Sequence, residues 1–194
     1  MAVVRLIRKL RRRCAAGVDG MTAEHLQLAV NTDLPLRISV LLTLCLRFGF
    51  VPDGFCSGVL IPILKKPLLD PSVPSNYRPV TVSVMLSKLL ELFVLDECNA
   101  VSFSPYQFGF VSHRGTNTAT ALAHDVFTYC NNNGSPVFCC SLDAEGAFDA
   151  IPHSVLFHKA AGILSDHSWL TLQYWYTNMS VHLRWRETLS MPFS

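Results

Sequence analysis

Residues 65–79 read KKPLLDPSVPSNYRP, and four prolines in that short span decide what can be built around them. Proline lacks a backbone N–H and holds φ fixed, so the stretch can continue neither a helix nor the interior of a sheet. It is expected to be a loop. The apolar run before it, VLIPIL at 59–64, reads as a strand, and Pro62 inside that run pushes it toward a sheet edge. The segment after it, SVMLSKLLELFVLDEC at 83–98, carries apolar residues at 86, 89, 90 and 93, the spacing of a helix.

Other elements follow from their punctuation. Residues 2–13 form a basic helical stretch. A Gly-Val-Asp-Gly turn at 17–20 leads to Thr22, which is placed as an N-cap. A helix over 34–48 is ended by Gly49 and Pro52. In GTNTATALAHDVFTYCNNNG, Ala119, Leu122, Ala123, Val126, Phe127 and Cys130 share one helical face, and Gly134 supplies the stop. The uncharged run 137–142 reads as a buried strand, and a helix starts near Pro152. The segment HSWLTLQYWYTNMSVHLRWRE begins helical and has no clear end. There is no internal repeat and no low-complexity tract.

The 194 residues suffice for one compact domain or for part of a larger one. Half are hydrophobic and 15% charged, which is apolar for a soluble domain and is expected of a piece separated from a partner surface. No apolar run is long enough to span a bilayer: SVLLTLCL at 39–46 is short and closes with Arg47. The basic N-terminus has no apolar core behind it, so no signal peptide is expected. Seven cysteines with no CxxC pair suit small hydrophobes in a reduced, intracellular chain, nuclear or cytoplasmic alike. His153 and His158 are five apart, the wrong spacing for one metal on a helix, so no zinc site is expected. Residues 1–13 hold six of the sixteen Lys and Arg, leaving ten basic against fourteen acidic residues in the body. The body is therefore no general polyanion binder. The head is either a nucleic-acid contact or a solvated helix face.

Asp143 closes the run 137–142 and is followed by Glu145 and Phe148–Asp149 before Pro152. Alone, it is a helix cap or a group held out for chemistry. The chain also carries GVDGMTAEHLQ at 17–27, IPILKKP at 61–67 with NYRPVTVSVMLSKLLELFV at 76–94, QFGFVSHRGTNTATAL at 107–122 and VFCCSLDAEGAFDAIPHSVLF at 137–157. In that order these closely resemble the reverse transcriptases of non-LTR (LINE-type) retrotransposons, over nearly the whole chain from about Gly17.

The resemblance implies an α/β (α+β) fold, the fingers and first half of the palm of a right-hand polymerase. Residues 1–100 would be fingers with the basic helix. Residues 101–165 would be the first half of the palm with the Asp143 strand, and 166–194 a connecting segment cut before the next palm motif. The activity implied is nucleotidyl transfer from deoxynucleoside triphosphates onto a DNA primer 3′-hydroxyl, copied from an RNA template. Mg²⁺, or Mn²⁺ in its place, would be the cofactor. Asp143 would be the catalytic carboxylate and first metal ligand, with the carbonyl of Ala144 a further one, since Mg²⁺ takes hard oxygens. Phe148 matches the aromatic residue under the incoming sugar, which excludes a 2′-hydroxyl. Arg78, with Lys65 or Lys66, matches the triphosphate contacts, where a planar guanidinium pairs phosphate oxygens bidentately. Gln107, Phe108, Gly109 and Arg114 match the motif against the template, with Val111 where the family often has arginine. Asp149 and His153 read as structural, and Glu145 as a turn residue.

The family continues into a Gly-x-x-Gln-Gly block and a Phe/Tyr-x-Asp-Asp hairpin, and neither occurs in these 194 residues. The chain alone is therefore expected to lack polymerase activity and to expose a strand edge prone to association. Two other readings stand beside this one: a non-catalytic nucleic-acid-binding remnant, and a translated relic that does not fold stably.

Overall fold

The computed structural model describes residues 2–98, 101–144, 146–147 and 150–193. The chain divides into two compact units, one of residues 1–99 with 154–194 and one of residues 100–153. Glu145, Phe148 and Asp149 lie outside the described residues.

In the first unit the basic head becomes α1 (Ala2–Lys9). Val3, Leu6 and Ile7, with Leu10 just beyond, are buried, which is the i, i+3, i+4, i+7 stripe of an amphipathic helix. Its cations stay outside, and Asp96 pairs with Arg5 and, at 3.7 Å, with Lys9. Gly17 is required where it stands, because a Cβ there would come within 2.8 Å of the Val84 Cα. Thr22 sits extended ahead of α2 (Ala23–Leu28), and its N–H donates to His25 Nδ1 at 3.2 Å. Next comes α3 (Leu34–Phe48), with Pro35 in its first turn. Gly49 ends it in the left-handed conformation at φ +58°, which glycine adopts without strain.

A hairpin of β1 (Ser57–Leu64) and β2 (Tyr77–Ser83) then leads into α4 (Met85–Glu97). That helix buries Met85, Leu89, Leu90 and Val94, while Leu86 and Phe93 are half-buried. Its inward face is therefore rotated slightly from the expected 86, 89, 90 and 93. Ser87, fully buried, donates its hydroxyl to the Phe55 carbonyl at 2.8 Å. The second unit holds α5 (Thr116–Asn132). With α6 (His153–Ala160) the chain re-enters the first unit, which it completes with α7 (Asp166–Thr177), β3 (Ser180–Trp185) and β4 (Thr188–Leu189). The Thr171 hydroxyl donates to the His167 carbonyl at 2.8 Å and lies 3.2 Å from that of Cys45, tying α7 to α3. The sheet order is β2-β1-β3-β4, with β1 parallel to β3 and both other pairs antiparallel. The fold is α+β, as the motifs imply.

Three expectations need correction. VLIPIL is not an edge strand, since β1 lies between β2 and β3. The reason it tolerates Pro62 is register: β3 pairs only with Ser57–Leu60, so Pro62 stands past the end of that ladder. Across β2 it faces Pro79. The Lys65 N–H to Asn76 carbonyl bond, 2.8 Å, sets the alternation so that this Pro–Pro pair falls at a non-hydrogen-bonded position. For the same reason residues 77–79 are strand rather than loop: Pro79 sits on the outer strand, where its missing N–H is not needed. The third correction is the run 137–142, which forms no strand and is exposed. Strands need a ladder, and no strand lies within 100–153 among the described residues. The helix α5 forms within the expected limits, and none of its residues is buried.

Candidate functional site

The first group of candidate residues is built by the β1–β2 hairpin. Ile63 pairs with Arg78 and Leu64 with Tyr77. The Lys65–Asn76 bond carries the register one residue further. Alternation along the strands therefore sets Lys65, Ile63 and Arg78 on one face, with Lys66 already in the loop. All three cations are exposed, and none makes a side-chain hydrogen bond or ion pair among the described residues. Their charges are free for an outside anion.

The proline-rich loop that joins the strands is stiffened by its own hydrogen bonds. Asp70 Oδ1 accepts from the Ser72 N–H at 2.8 Å and from its hydroxyl at 2.7 Å. Asn76 Nδ2 donates to the Asp70 carbonyl at 2.9 Å, and the Tyr77 hydroxyl to the Pro71 carbonyl at 2.9 Å. The two bonds from Ser72 to the charged form, the N–H first and then the hydroxyl, lower the pKa of the Asp70 carboxyl. Four prolines and this Asx turn give the two cationic ends of the hairpin a fixed frame.

One residue of this face is invisible in the local sequence. Val59 pairs with His182 in β3, so the same parity places Arg184 on the face of Arg78, beside Ile61 and Val80. Arg184 has no side-chain partner among the described residues. On the opposite face, Tyr77 and Trp185 meet edge to face, with centroids 5.5 Å apart. Only the parallel pairing of β3 with β1 brings Arg184 here, and the ambiguous end of the 167–187 segment concealed it. The run SVHLRW, apolar and polar in alternation, was the available signal.

In the second unit, Arg114 organises the loop that carries Gln107. Its Nη1 donates to the Ser104 carbonyl at 2.7 Å and to that of Gln107 at 3.1 Å. Gln107 Nε2 in turn donates to the Gly109 carbonyl at 2.9 Å. Phe108 is half-buried and Gly109 exposed. Phe110 and His113 both take left-handed backbone, at φ +60° and +62°, a costly conformation for non-glycine residues. Thus one terminal nitrogen of Arg114 shapes the loop, and the rest of the guanidinium is left for an external group.

Asp143 and Ala144 lie in the exposed irregular run. Asp143 makes no hydrogen bond or ion pair among the described residues, which also hold no group of three or more His, Cys, Asp or Glu able to bind a metal. A single exposed carboxylate does not by itself hold Mg²⁺, which takes several oxygens. No single helix among the described residues is long and apolar enough to cross a membrane. The buried thiols of Cys45 and Cys56 are pushed up in pKa by desolvation and act as packing groups.

Comparison with known proteins gives this arrangement a family. Residues 63–193 match the model of the reverse transcriptase (RNA-dependent DNA polymerase) family. The chain is 29% identical over 172 residues to the RNA-directed DNA polymerase from mobile element jockey of Drosophila funebris, covering 84% of this chain and 18% of that one. It is 28% identical over 174 residues to the Pol polyprotein of the type-1 retrotransposable element R1 of Bradysia coprophila, covering 87% and 17%. With the R2 polyprotein of Popillia japonica it shares 29% over 141 residues, covering 72% and 19%. The chain belongs to the reverse transcriptase family, and its relatives are the non-LTR elements that the motifs resemble. It spans 15–21% of the length of the curated relatives it matches.

Proposed function

We propose that this chain supplies the triphosphate-binding and first catalytic segment of an RNA-directed DNA polymerase. The observation that carries the reading is the family match over 63–193, which takes in Lys65, Arg78, Gln107–Arg114 and Asp143 in the order of the motifs. In the reaction, a primer 3′-oxygen forms a bond to the α-phosphorus of a deoxynucleoside triphosphate, and pyrophosphate leaves. Arg78 and Lys65 would hold the triphosphate, for which their shared face, with no carboxylate among the paired strand residues described, is suited. Lys65 is preferred over Lys66 because it stands on the face of Arg78. Gln107, Phe108, Gly109 and Arg114 would lie along the RNA template, with phosphate contacts that carry no sequence information. Asp143 with the Ala144 carbonyl would contribute to a divalent metal site, Mg²⁺ being the finer proposal, once further carboxylates come from residues outside those described. Phe148 would exclude the ribose 2′-hydroxyl.

The test places residues 1–194 in the matching segment of a jockey-type polymerase and measures primer extension on RNA. Asp143→Asn should abolish extension while template binding survives. Residual turnover within about tenfold of the parent, only about 1.4 kcal/mol, would remove Asp143 from the reaction centre. Arg78→Gln should raise KM for the triphosphate more than it lowers kcat. A second reading, nucleic-acid binding without catalysis, draws on the absence of a metal-binding cluster among the described residues. Strand binding with no extension even in the exchanged protein would decide for it.

A further inference from the structure

A cavity of about 360 Å³ opens in the first unit between the end of α1 and the short α2 segment. Arg8, Arg12, Gln27 and Asn31 are its polar lining, and Leu10 and Val30 complete it. Among the described residues, no carboxylate is part of that lining. Arg8 has no hydrogen bond or ion pair among the described residues.

The position looks unfavourable for an anion at first, because the last carbonyls of a helix carry its negative end. Gln27 changes that. Its Nε2 donates to the carbonyls of Ile7 at 3.3 Å and of Leu10 at 2.9 Å, so two of those oxygens are already occupied. Its Oε1 accepts from Arg12 Nε at 2.7 Å. One amide thereby covers acceptors that would repel an anion and aims a guanidinium by its inner nitrogen. Both terminal nitrogens of Arg12, the pair that forks onto phosphate oxygens, have no partner among the described residues. The Glu24 carboxylate, whose pKa is lowered first by the Arg13 N–H and least by Arg12, is engaged by that N–H at 2.6 Å. Two guanidinium groups around a polar concavity, Arg8 without a partner among the described residues and Arg12 held by its inner nitrogen, are the parts of a phosphate site rather than of a solvated helix face.

We propose that this cavity binds a backbone phosphate of a single-stranded nucleic acid. The choice of a strand as the source of the phosphate rests on the polymerase reading. The site itself does not, because its test needs no turnover. Phosphate contacts carry no base information and no sugar preference, so RNA and DNA should be bound alike here.

The experiment titrates the 194-residue chain with a short labelled RNA and a DNA of the same sequence at several salt concentrations. Arg8→Gln and Arg12→Gln line the cavity, whereas Arg11→Gln makes the same charge change outside its lining. Each cavity variant should weaken binding about threefold to fivefold, the scale of a partly exposed ion pair. Each should also lower the slope of log affinity against log salt by about 0.7, one phosphate on a single strand. The losses should match on RNA and DNA, and Arg11→Gln should show less than half of them. Thermal melts run alongside keep misfolding apart, and Arg8→Gln, which breaks no internal bond, is decisive if Arg12→Gln unfolds. Equal losses at all three positions would reduce the head to diffuse charge and overturn the site, as would no loss at Arg8 and Arg12. Displacement of the strand by inorganic phosphate at constant ionic strength would make it a free-phosphate site and overturn the strand assignment. If these losses appear while the exchanged polymerase fails to extend a primer, the site stands and the catalytic reading falls.

Discussion

The two units of this chain treat apolar residues in opposite ways. In the first, α1, α3 and α4 close over Leu6, Ile7, Leu42, Leu89 and Leu90, each at most 1% exposed. In the second, α5 buries nothing, and Phe138 and Leu142 stand 93% and 94% exposed. By sequence the two look alike: both carry helical faces at the right spacing and uncharged runs. The difference teaches that periodicity makes a face but does not supply what covers it. A helix draws most of its stability in a protein from the surface it packs on, and a strand cannot exist without a neighbour.

That comparison is broken or sharpened first by leucine truncation on the two helices. Leu89→Ala in α4 should cost about 2–5 kcal/mol, the transfer term plus the cavity left behind. Leu122→Ala in α5, a side chain already 45% exposed, should cost under about 0.5 kcal/mol. Urea unfolding of both variants measures the contrast. Equal losses would mean that the α5 face is covered in solution and that the units do not differ. A smaller effect is expected at the backbone. Gly17→Ala would push a methyl to 2.8 Å from the Val84 Cα and 3.1 Å from the Ser83 carbonyl, groups that cannot swing aside. It should destabilise by about 1–3 kcal/mol in the same assay. Gly134→Ala, in the second unit, meets nothing within 4 Å and should suffer only the strain of its φ of +68°.

What the sequence made legible follows the same division. The helix limits of α3 and α5 were readable because glycine, proline and asparagine mark them locally. The first arm of the hairpin, VLIPIL, was readable as a strand, but the arm that carries Arg78 was readable only as motif, because proline argues against a ladder until the register shows that no hydrogen bond is asked of it. Arg184 was hidden, since only a parallel pairing between residues far apart in the chain brings it to Arg78. The Asp143 strand was predicted from apolarity alone, and apolarity cannot say whether a partner strand is at hand.

A pH experiment probes the frame of the hairpin. The Asp70 carboxyl is held below its ordinary value of about 3.8 by the Ser72 N–H and hydroxyl. A depressed folded-state pKa means that this stabilisation is complete above the unfolded value and is lost as pH falls through the lowered one. Asp70→Asn should therefore speed amide exchange or proteolysis in the 66–76 loop at neutral pH. Parent and variant should converge as the pH drops below about 3.8. The same titration in the 104–114 loop, which is braced by Arg114 rather than by a carboxylate, should show no such convergence. A difference that persisted into strong acid would remove Asp70 from the loop's support.

The smallest expected effect is the most diagnostic. Leu142→Ser and Phe138→Ser change two large apolar side chains in the run that the sequence reads as a buried strand. If that strand existed, each would lose a buried side chain, with a cost on the order of 2–4 kcal/mol. With both side chains more than nine-tenths exposed, unfolding of the 194-residue chain should instead shift by less than about 0.5 kcal/mol. Removing them should also reduce any self-association, since exposed apolar groups beside a strand-prone run invite pairing between chains. Sedimentation at several concentrations measures that directly. A large loss of stability, or association that grows when the two residues become serine, would restore the strand and with it a packed second unit around Asp143.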